Sequence, residues 1–568
     1  MKRGLWWLIV VLLVASCTGG EATPQDGDSD GAAGTPIVPT ATPLPDGATT
    51  AARIRARGYL LVGVRYDLEP FGFVNDYGEV AGFDADLARE FALRWLGDEQ
   101  AVLFRQVRSD TAYAHLHGQQ IDIALAALPH TQGGEGEVDF GLPYFIDGQA
   151  LLIRGSDAGT IGGLAQLESL NIGVEAWSDS EQAIQAAVEY TPTILSYSRF
   201  DEAVQALERG EIDAVADERH RLFWGQRMLP ESVVLGQYTE TPLAFAIPQN
   251  DPFFADLVNL TFQEMVQDGT YAEIYNSWLG PEEAPAVERW PGESVLDLAD
   301  APTTSVTPDT IANIEARGQV VAVMIEERYP FAYVGGAGAP VGYEVRLVGL
   351  LAETWLGDSG AVEFVAADLA TAIAMVSTGQ AAILVGGLAH SRAAELEVDF
   401  ALTTYVAGES LLVNSGTTVS GIEILEGWSV GAVEGSGSRE SLLALADDAG
   451  VSLSALSSST LEEAVAALQS EEVIAVIGDR TDLLQPADAT AGLVLLDWRL
   501  SEVAIGLGLP PGDSGFRDLV NLTLQMLATE GRLDGLYSTW FDDEPHEMES
   551  WSGTAYRSLR LEIAAEPL

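Results

Sequence analysis

Two of the side chains most used for covalent chemistry are nearly missing from this chain, which narrows what it can do. Cysteine occurs once, at Cys17, and lysine once, at Lys2. A lone cysteine can neither close an intrachain disulfide nor build a thiolate metal cluster. A single lysine at the N-terminus leaves the body without a Schiff-base or P-loop lysine. His130 and His390 sit at equivalent places in two halves of the chain, but a single histidine at each such place is not by itself a metal site. They read as loop histidines. No nucleophile lies beside a base and no acid pair converges, so the chain reads as a non-enzyme. Twenty-eight basic residues against 85 acidic ones give a formal charge of −57. That leaves no basic patch to displace phosphate counterions, so nucleic acid is not an expected partner. The acidic surface alone calls for nothing more than solubility. What does recur is a carboxylate: Asp217 pairs with Asp479 at an offset of 262.

The elements that would hold these residues are themselves repeated. Ile54–Gly58 (IRARG) returns as IEARG at 314–318, an offset of 260. The same offset carries Pro70-Phe71 onto Pro330-Phe331 and Val138-Asp139-Phe140 onto Val398-Asp399-Phe400. Such a period is far longer than a solenoid repeat, so each copy is a whole domain. In copy 1, Phe83, Leu87, Phe91 and Trp95 fall on one helical face; Tyr343, Leu347, Leu351 and Trp355 repeat that core stripe. Apolar runs such as residues 121–128 and 381–388 read as buried strands. Alternating strands and helices indicate an α/β fold with mostly parallel sheets. Each copy is long enough for two lobes.

The N-terminus has Lys2 and Arg3, then an apolar run over residues 5–14, too short to span a bilayer comfortably. Val14-Ala15-Ser16-Cys17 resembles the lipobox of bacterial lipoproteins, which implies a lipidated Cys17 and anchoring to the outer face of the cell membrane. The expected organisation is a signal peptide (1–17), a disordered proline- and threonine-rich stalk (18–50), domain 1 (51–282), a linker (283–309), domain 2 (310–545) and a tail (546–568). Trp290 in the linker and Trp551 in the tail follow their copies at similar distances.

PFGFVNDYGEVAGFDADLA (70–88), EVDFGLPYF (137–145), GEIDAVADE (210–218) and the run 256–278 stand in order along copy 1. PFAYV (330–334), EVDFALTTY (397–405), VIAVIGD (473–479) and 518–540 do the same in copy 2. Each copy thereby resembles the extracytoplasmic solute-binding proteins of the polar amino-acid type, the receptors of ABC importers. The resemblance implies two tandem type II periplasmic-binding-protein domains, each of two α/β lobes joined by a two-strand hinge. Lobe 1 of copy 1 would comprise about 51–147 plus 243–280.

In that family an arginine before the VDF segment forks onto the ligand carboxylate and a lobe 2 aspartate takes the ammonium. Asp217 and Asp479 are matched to the aspartate. The arginine positions hold Gly134 and Ala394 instead, with Arg392 two residues upstream within reach. The glycines at 133, 134 and 136 predict a loop where the family has a short helix. The implied ligand-binding residues are Phe71, Phe73, Thr131, Ser178 and Asp217 in copy 1, and Phe331, Tyr333, Ser391, Arg392, Ser436 and Asp479 in copy 2. The aromatic residues read equally well as core, Ser391 reads as a helix cap, and Trp177 would partly fill the cleft of copy 1.

An aspartate without its arginine favours an amine or other cationic solute over a free amino acid, because an unpaired buried carboxylate costs about 3–5 kcal/mol. The expectation is therefore a lipid-anchored solute-binding protein serving uptake through an ABC permease, or sensing, with no cofactor. The alternative is a pair of degenerate domains with a structural role in the envelope. The fold also serves a few dehydratases, for which the sequence offers no catalytic constellation.

Overall fold

The computed structural model describes residue 45 and residues 47–280, 284–305, 308–541 and 545–561. Cys17, the signal peptide and nearly all of the expected stalk lie outside the described residues. The described residues all belong to one compact unit. Among the described residues no helix is long and apolar enough to cross a membrane.

The repeated IRARG and IEARG strings are helix ends. Helices Thr50–Arg57 and Thr310–Arg317 each stop at a left-handed glycine, Gly58 or Gly318, whose N–H reaches back to Ile54 or Ile314. The first helix begins one residue before the expected domain boundary. Thr49 caps it, and Ala48 bridges Thr304 of the linker.

Each helix feeds a lobe 1 sheet, five-stranded in copy 1 and six-stranded in copy 2. In copy 1 its order is Val102–Gln106, Leu60–Val64, Ile123–Ala124, Thr241–Ile247 and Asp139–Asp147. The first three strands are parallel, and the returning strand Thr241–Ile247 is antiparallel to its neighbours. Lobe 2 has the order Thr193–Tyr197, Asn171–Glu175, Ala214–Glu218, Gln149–Arg154 and Ser232–Val234. Copy 2 repeats both orders, with one further short strand, Tyr405–Ala407, on its lobe 1 sheet.

The predicted stripes are core. Phe83, Leu87 and Phe91 are fully buried, as are Leu347, Leu351 and Trp355. Trp95 and Trp355 each donate Nε1–H to a threonine at 2.9 Å, Thr261 and Thr523 respectively.

Two chain segments cross between the lobes of each copy. Gly148 and Gly408 lie on the first crossing, at φ +156° and +125°. A Cβ there would stand 1.9 Å from the carbonyl oxygen of Thr239, or 2.0 Å from that of Ser501. Only glycine lets the two crossings run this close.

The segment before the VDF strand of copy 1 differs from expectation. Gln132–Glu135 is one turn of helix, capped by the Thr131 hydroxyl, which accepts Gly134 N–H at 3.0 Å. Glycine persists at 134 for packing reasons, since a Cβ would meet the Phe140 ring at 2.9 Å and the Tyr113 hydroxyl at 3.0 Å.

Linker and tail both dock on the folded body. Trp290 and Leu298 pack on the lobe 1 core of copy 1, and Leu561 joins that of copy 2. Each tryptophan also reaches the other copy. Trp290 stacks on His390 at 4.3 Å, and His390 in turn lies on Phe400 at 4.1 Å. Trp551 stacks on His130 at 4.3 Å, with Phe140 beneath at 4.5 Å. The two histidines are thus fillings of matched aromatic sandwiches along the seam between the copies.

Candidate functional site

In copy 1 a cavity of about 780 Å³ opens between the lobe 1 segment containing Asp67, Glu69 and Phe73 and lobe 2 residues including Glu175, Arg221 and Trp224. Phe73 stands edge-on to Trp278 at 5.8 Å, which fixes one aromatic wall. At the lobe 2 side Arg221 lies between two carboxylates, 2.5 Å from Glu175 and 3.1 Å from Asp217, with its guanidinium 4.8 Å over the Phe200 ring. Asp217 is 1% exposed. Burial pushes its carboxyl up to about 6 against the pull of Arg221. Arg221 thus serves both Glu175, which lines the cavity, and Asp217, buried behind that wall, and the three are one positive charge short of balance when both acids are ionised. Across the mouth, Arg227 of lobe 2 pairs with Glu69 of lobe 1 at 3.0 Å.

Several candidate residues lie elsewhere. Phe71 is buried core, edge-on to Phe145 at 5.2 Å and to His220 at 5.3 Å. Ser178 donates to the Glu175 carbonyl at 2.8 Å, closing a turn. Trp177, expected to fill the cleft, is fully exposed at φ +70° and does not line the cavity. Its counterpart in copy 2 is Gly435 at φ +79°, for which that backbone carries no penalty. Thr131 and Ser391 are helix caps, and their segments run along the seam: Gln132 N–H reaches Ser552 of the tail, and Arg392 N–H reaches Pro291 of the linker. The Arg392 guanidinium is buried 3.8 Å from Glu264 of copy 1, so it faces the other domain rather than its own cleft.

Copy 2 is built differently at the same level. Phe331 is buried against Tyr405 at 5.3 Å and Phe541 at 5.9 Å, in a cluster that also takes in Leu484 of lobe 2. Tyr333 packs on Tyr329 at 5.4 Å. The Tyr329 hydroxyl donates to Asp488 at 2.6 Å and ties the lobes where copy 1 has its Glu69–Arg227 pair. Ser436 donates to the Val433 carbonyl.

The strand ladder also corrects the match of Asp479 to Asp217. Asp217 pairs with Ala150, whereas Ser410, 260 residues after Ala150, pairs with Gly478. Arg219 N–H bonds Gly148 as Arg480 N–H bonds Gly408. The true offset here is 261, so Gly478 stands at the aspartate position and Asp479 at that of Glu218. A slip of one residue moves a side chain to the opposite face of a strand. Asp479 instead caps the helix Arg480–Ala489, accepting Thr481 N–H at 2.8 Å and its hydroxyl at 2.6 Å.

The seam encloses a second cavity, of about 570 Å³, lined among others by Glu135, Asp256, Glu395, Asp399 and Arg517. Arg517 stands 3.0 Å from Asp139 and 3.6 Å from Asp399. It has no counterpart in copy 1, where Ala255 occupies the position.

A family model described as bacterial extracellular solute-binding proteins, family 3, matches residues 60–281 and again 320–543. The ABC transporter glutamine-binding protein GlnH of Bacillus subtilis (strain 168) is 30% identical over 238 residues, 41% of this chain and 86% of its own length. The glutamine-binding protein of Geobacillus stearothermophilus is 31% identical over 237 residues, 40% and 86% of the two chains. Among solved structures, an ancestral amino acid-binding protein described as a precursor of cyclohexadienyl dehydratase is 30% identical, covering 41% of this chain and 99% of its own, with a TM-score of 0.33.

Proposed function

The chain belongs to the bacterial extracellular solute-binding proteins of family 3, in two tandem copies, and from that premise we propose that copy 1 binds a small cationic, amine-bearing solute while copy 2 is a non-binding scaffold. The observation that carries this reading is the shared guanidinium of the copy 1 cleft. Glu175 and Asp217 hold one Arg221 between them, beside Phe73 and Trp224. A cation entering the cavity would complete the charge balance and find aromatic faces to lie on. A free amino acid would bring a carboxylate to a lobe 1 that offers none of the family's arginine; Gly134 has no room for one. In copy 2 the aspartate position is Gly478 and aromatic rings pack where the lobes meet. We further propose that Cys17 is lipidated, holding the protein at the outer face of the membrane, where it would hand solute to an ABC importer.

The test is a thermal-shift screen of amino acids, polyamines and quaternary amines. Solute at 100 times its Kd should stabilise by about 2.7 kcal/mol. Amines should raise the melting temperature of the wild type and of Asp479→Asn but not of Asp217→Asn. A shift by neutral amino acids that survives Asp217→Asn would sink the cationic reading. Because Asp217 already has Arg221 as a partner, a second reading is that neither cleft binds, and no response to any solute would favour it. Cys17→Ser should release the protein from the membrane fraction.

A further inference from the structure

The hinge of copy 1 carries a cluster that solute binding does not use. Asp147 ends the lobe 1 strand Asp139–Asp147, one residue before the crossing glycine. Glu218 ends the lobe 2 strand Ala214–Glu218, and His220 lies in the first turn of the helix Arg219–Met228 that follows. His220 Nδ1 is 2.5 Å from one Asp147 oxygen and 3.7 Å from a Glu218 oxygen. One ligand atom from each residue falls within 4.8 Å of the other two. Asp147 and His220 are 3% and 4% exposed, while Glu218 faces solvent. His220 Nε2 is buried without a hydrogen-bond partner among the described residues, so the side-chain hydrogen bonding of the ring runs through Nδ1, with Phe71 edge-on beside it.

We propose that this hinge binds one divalent transition-metal ion, Zn²⁺ being the type, through His220 Nδ1 and one oxygen each of Asp147 and Glu218, with water in the fourth position. Metal–nitrogen and metal–oxygen bonds of about 2.0–2.2 Å at a tetrahedral centre separate donors by about 3.3 Å. The 2.5 and 3.7 Å separations from His220 Nδ1 lie on either side of that value, and the two carboxylate oxygens lie within 4.8 Å of each other, so closing on an ion requires the side chains to shift, exposed Glu218 foremost. The ion replaces the proton that His220 Nδ1 shares with Asp147, and that proton passes to solvent on binding. One imidazole with two carboxylates suits Zn²⁺, Co²⁺ or Mn²⁺ and not Ca²⁺, which takes oxygen ligands. Solvent-exposed Glu218 gives the ion its way in.

The second copy is an internal control. The backbone positions of Asp147, Glu218 and His220 are held there by Ala407, Asp479 and Thr481, one donor carboxylate in place of three ligands. Asp147 comes from lobe 1, the other two ligands from lobe 2. An ion held by all three therefore braces the angle between the lobes of copy 1 and leaves copy 2 unaffected.

The experiment titrates the full chain, metal-stripped and in detergent, with no solute present, so its outcome is independent of what the cleft binds. ZnCl₂ should bind at one equivalent per chain by calorimetry and raise the melting temperature; CaCl₂ should do neither. CoCl₂ should give the intense visible absorption of a four-coordinate site. His220→Gln should abolish that band, and the surface change Glu218→Gln, which leaves the buried pair intact, should weaken Zn²⁺ at least tenfold. Absence of stoichiometric Zn²⁺ binding, or affinity and Co²⁺ spectrum unchanged in both variants, would overturn the proposal and leave His220–Asp147 as a hydrogen bond that shapes the hinge.

Discussion

Glu344 shows how one buried carboxyl can make stability depend on pH. It is fully buried at the start of the helix Tyr343–Leu356 and accepts the N–H groups of Gly386 at 2.5 Å and Gly387 at 3.0 Å. Burial raises its pKa to about 7 although those N–H groups favour the anion. A carboxyl raised in the folded state contributes stability that is fully present below its unfolded pKa of about 4.3 and is lost as pH rises through 7. Glu344→Gln keeps an acceptor for both glycines and has nothing to ionise. The variant should melt close to the wild type at pH 5 and above it at pH 8, as followed by circular dichroism. An equal difference at both pH values would mean that Glu344 does not titrate in this range. Asp84, the corresponding residue of copy 1, is raised to about 7 by the same cause and supplies a second test of the sign.

At the scale of elements, the short helix Gln132–Glu135 is a packing decision made against local propensity. Two of its four residues are glycines, each costing about 1 kcal/mol relative to alanine in a helix interior. Gly134→Ala should nevertheless destabilise the protein, by about 1–3 kcal/mol, because the new Cβ would sit 2.9 Å from the Phe140 ring. Urea unfolding checks this, with Gly133→Ala, which meets nothing within 4 Å, as the control expected to be neutral or stabilising. The same segment marks the limit of what could be read beforehand. Helical stripes such as Phe83, Leu87 and Phe91 were legible because their period is a local property of the chain. The strand Ala475–Asp479 was not, because one inserted residue shifts the register, and only its ladder with Glu409–Asn414 shows that Gly478 faces where Asp217 does. Thr131, Ser391 and Arg392 had sound local chemistry, two caps and a guanidinium. What the sequence does not carry is that their side of the domain meets the linker and tail. The repeated Trp290 and Trp551 were the signal available for that, since a tryptophan recurring outside the folded repeat needs something to bury it.

The whole molecule is organised by that contact. The two lobes 1 meet through matched Trp–His–Phe stacks, and the acids between them outnumber the cations. Asp399 is pushed up to about 7 and Glu135 to about 8, in each case mainly by burial, with Arg517 pulling the other way. Asp256 is driven well above the carboxylate range by burial and by neighbouring Glu395 and Asp399. Arg517, half-buried, is held charged by Asp139 and Asp399, one carboxylate from each copy. It therefore acts on the joint between domains rather than on either fold. Arg517→Ala leaves these acids without their shared partner. The cost should be small at pH 5, where the raised groups can take up protons. It should grow to about 3–5 kcal/mol at pH 8, where removing one partner strands buried charge. Urea unfolding at the two pH values measures that difference, and proteolysis at pH 8 should cut the variant in the linker while sparing both domains. A loss equal at pH 5 and pH 8 would show that Arg517 contributes by packing alone. Loss confined to pH 8 would identify it as the charge that joins two copies whose own acids repel.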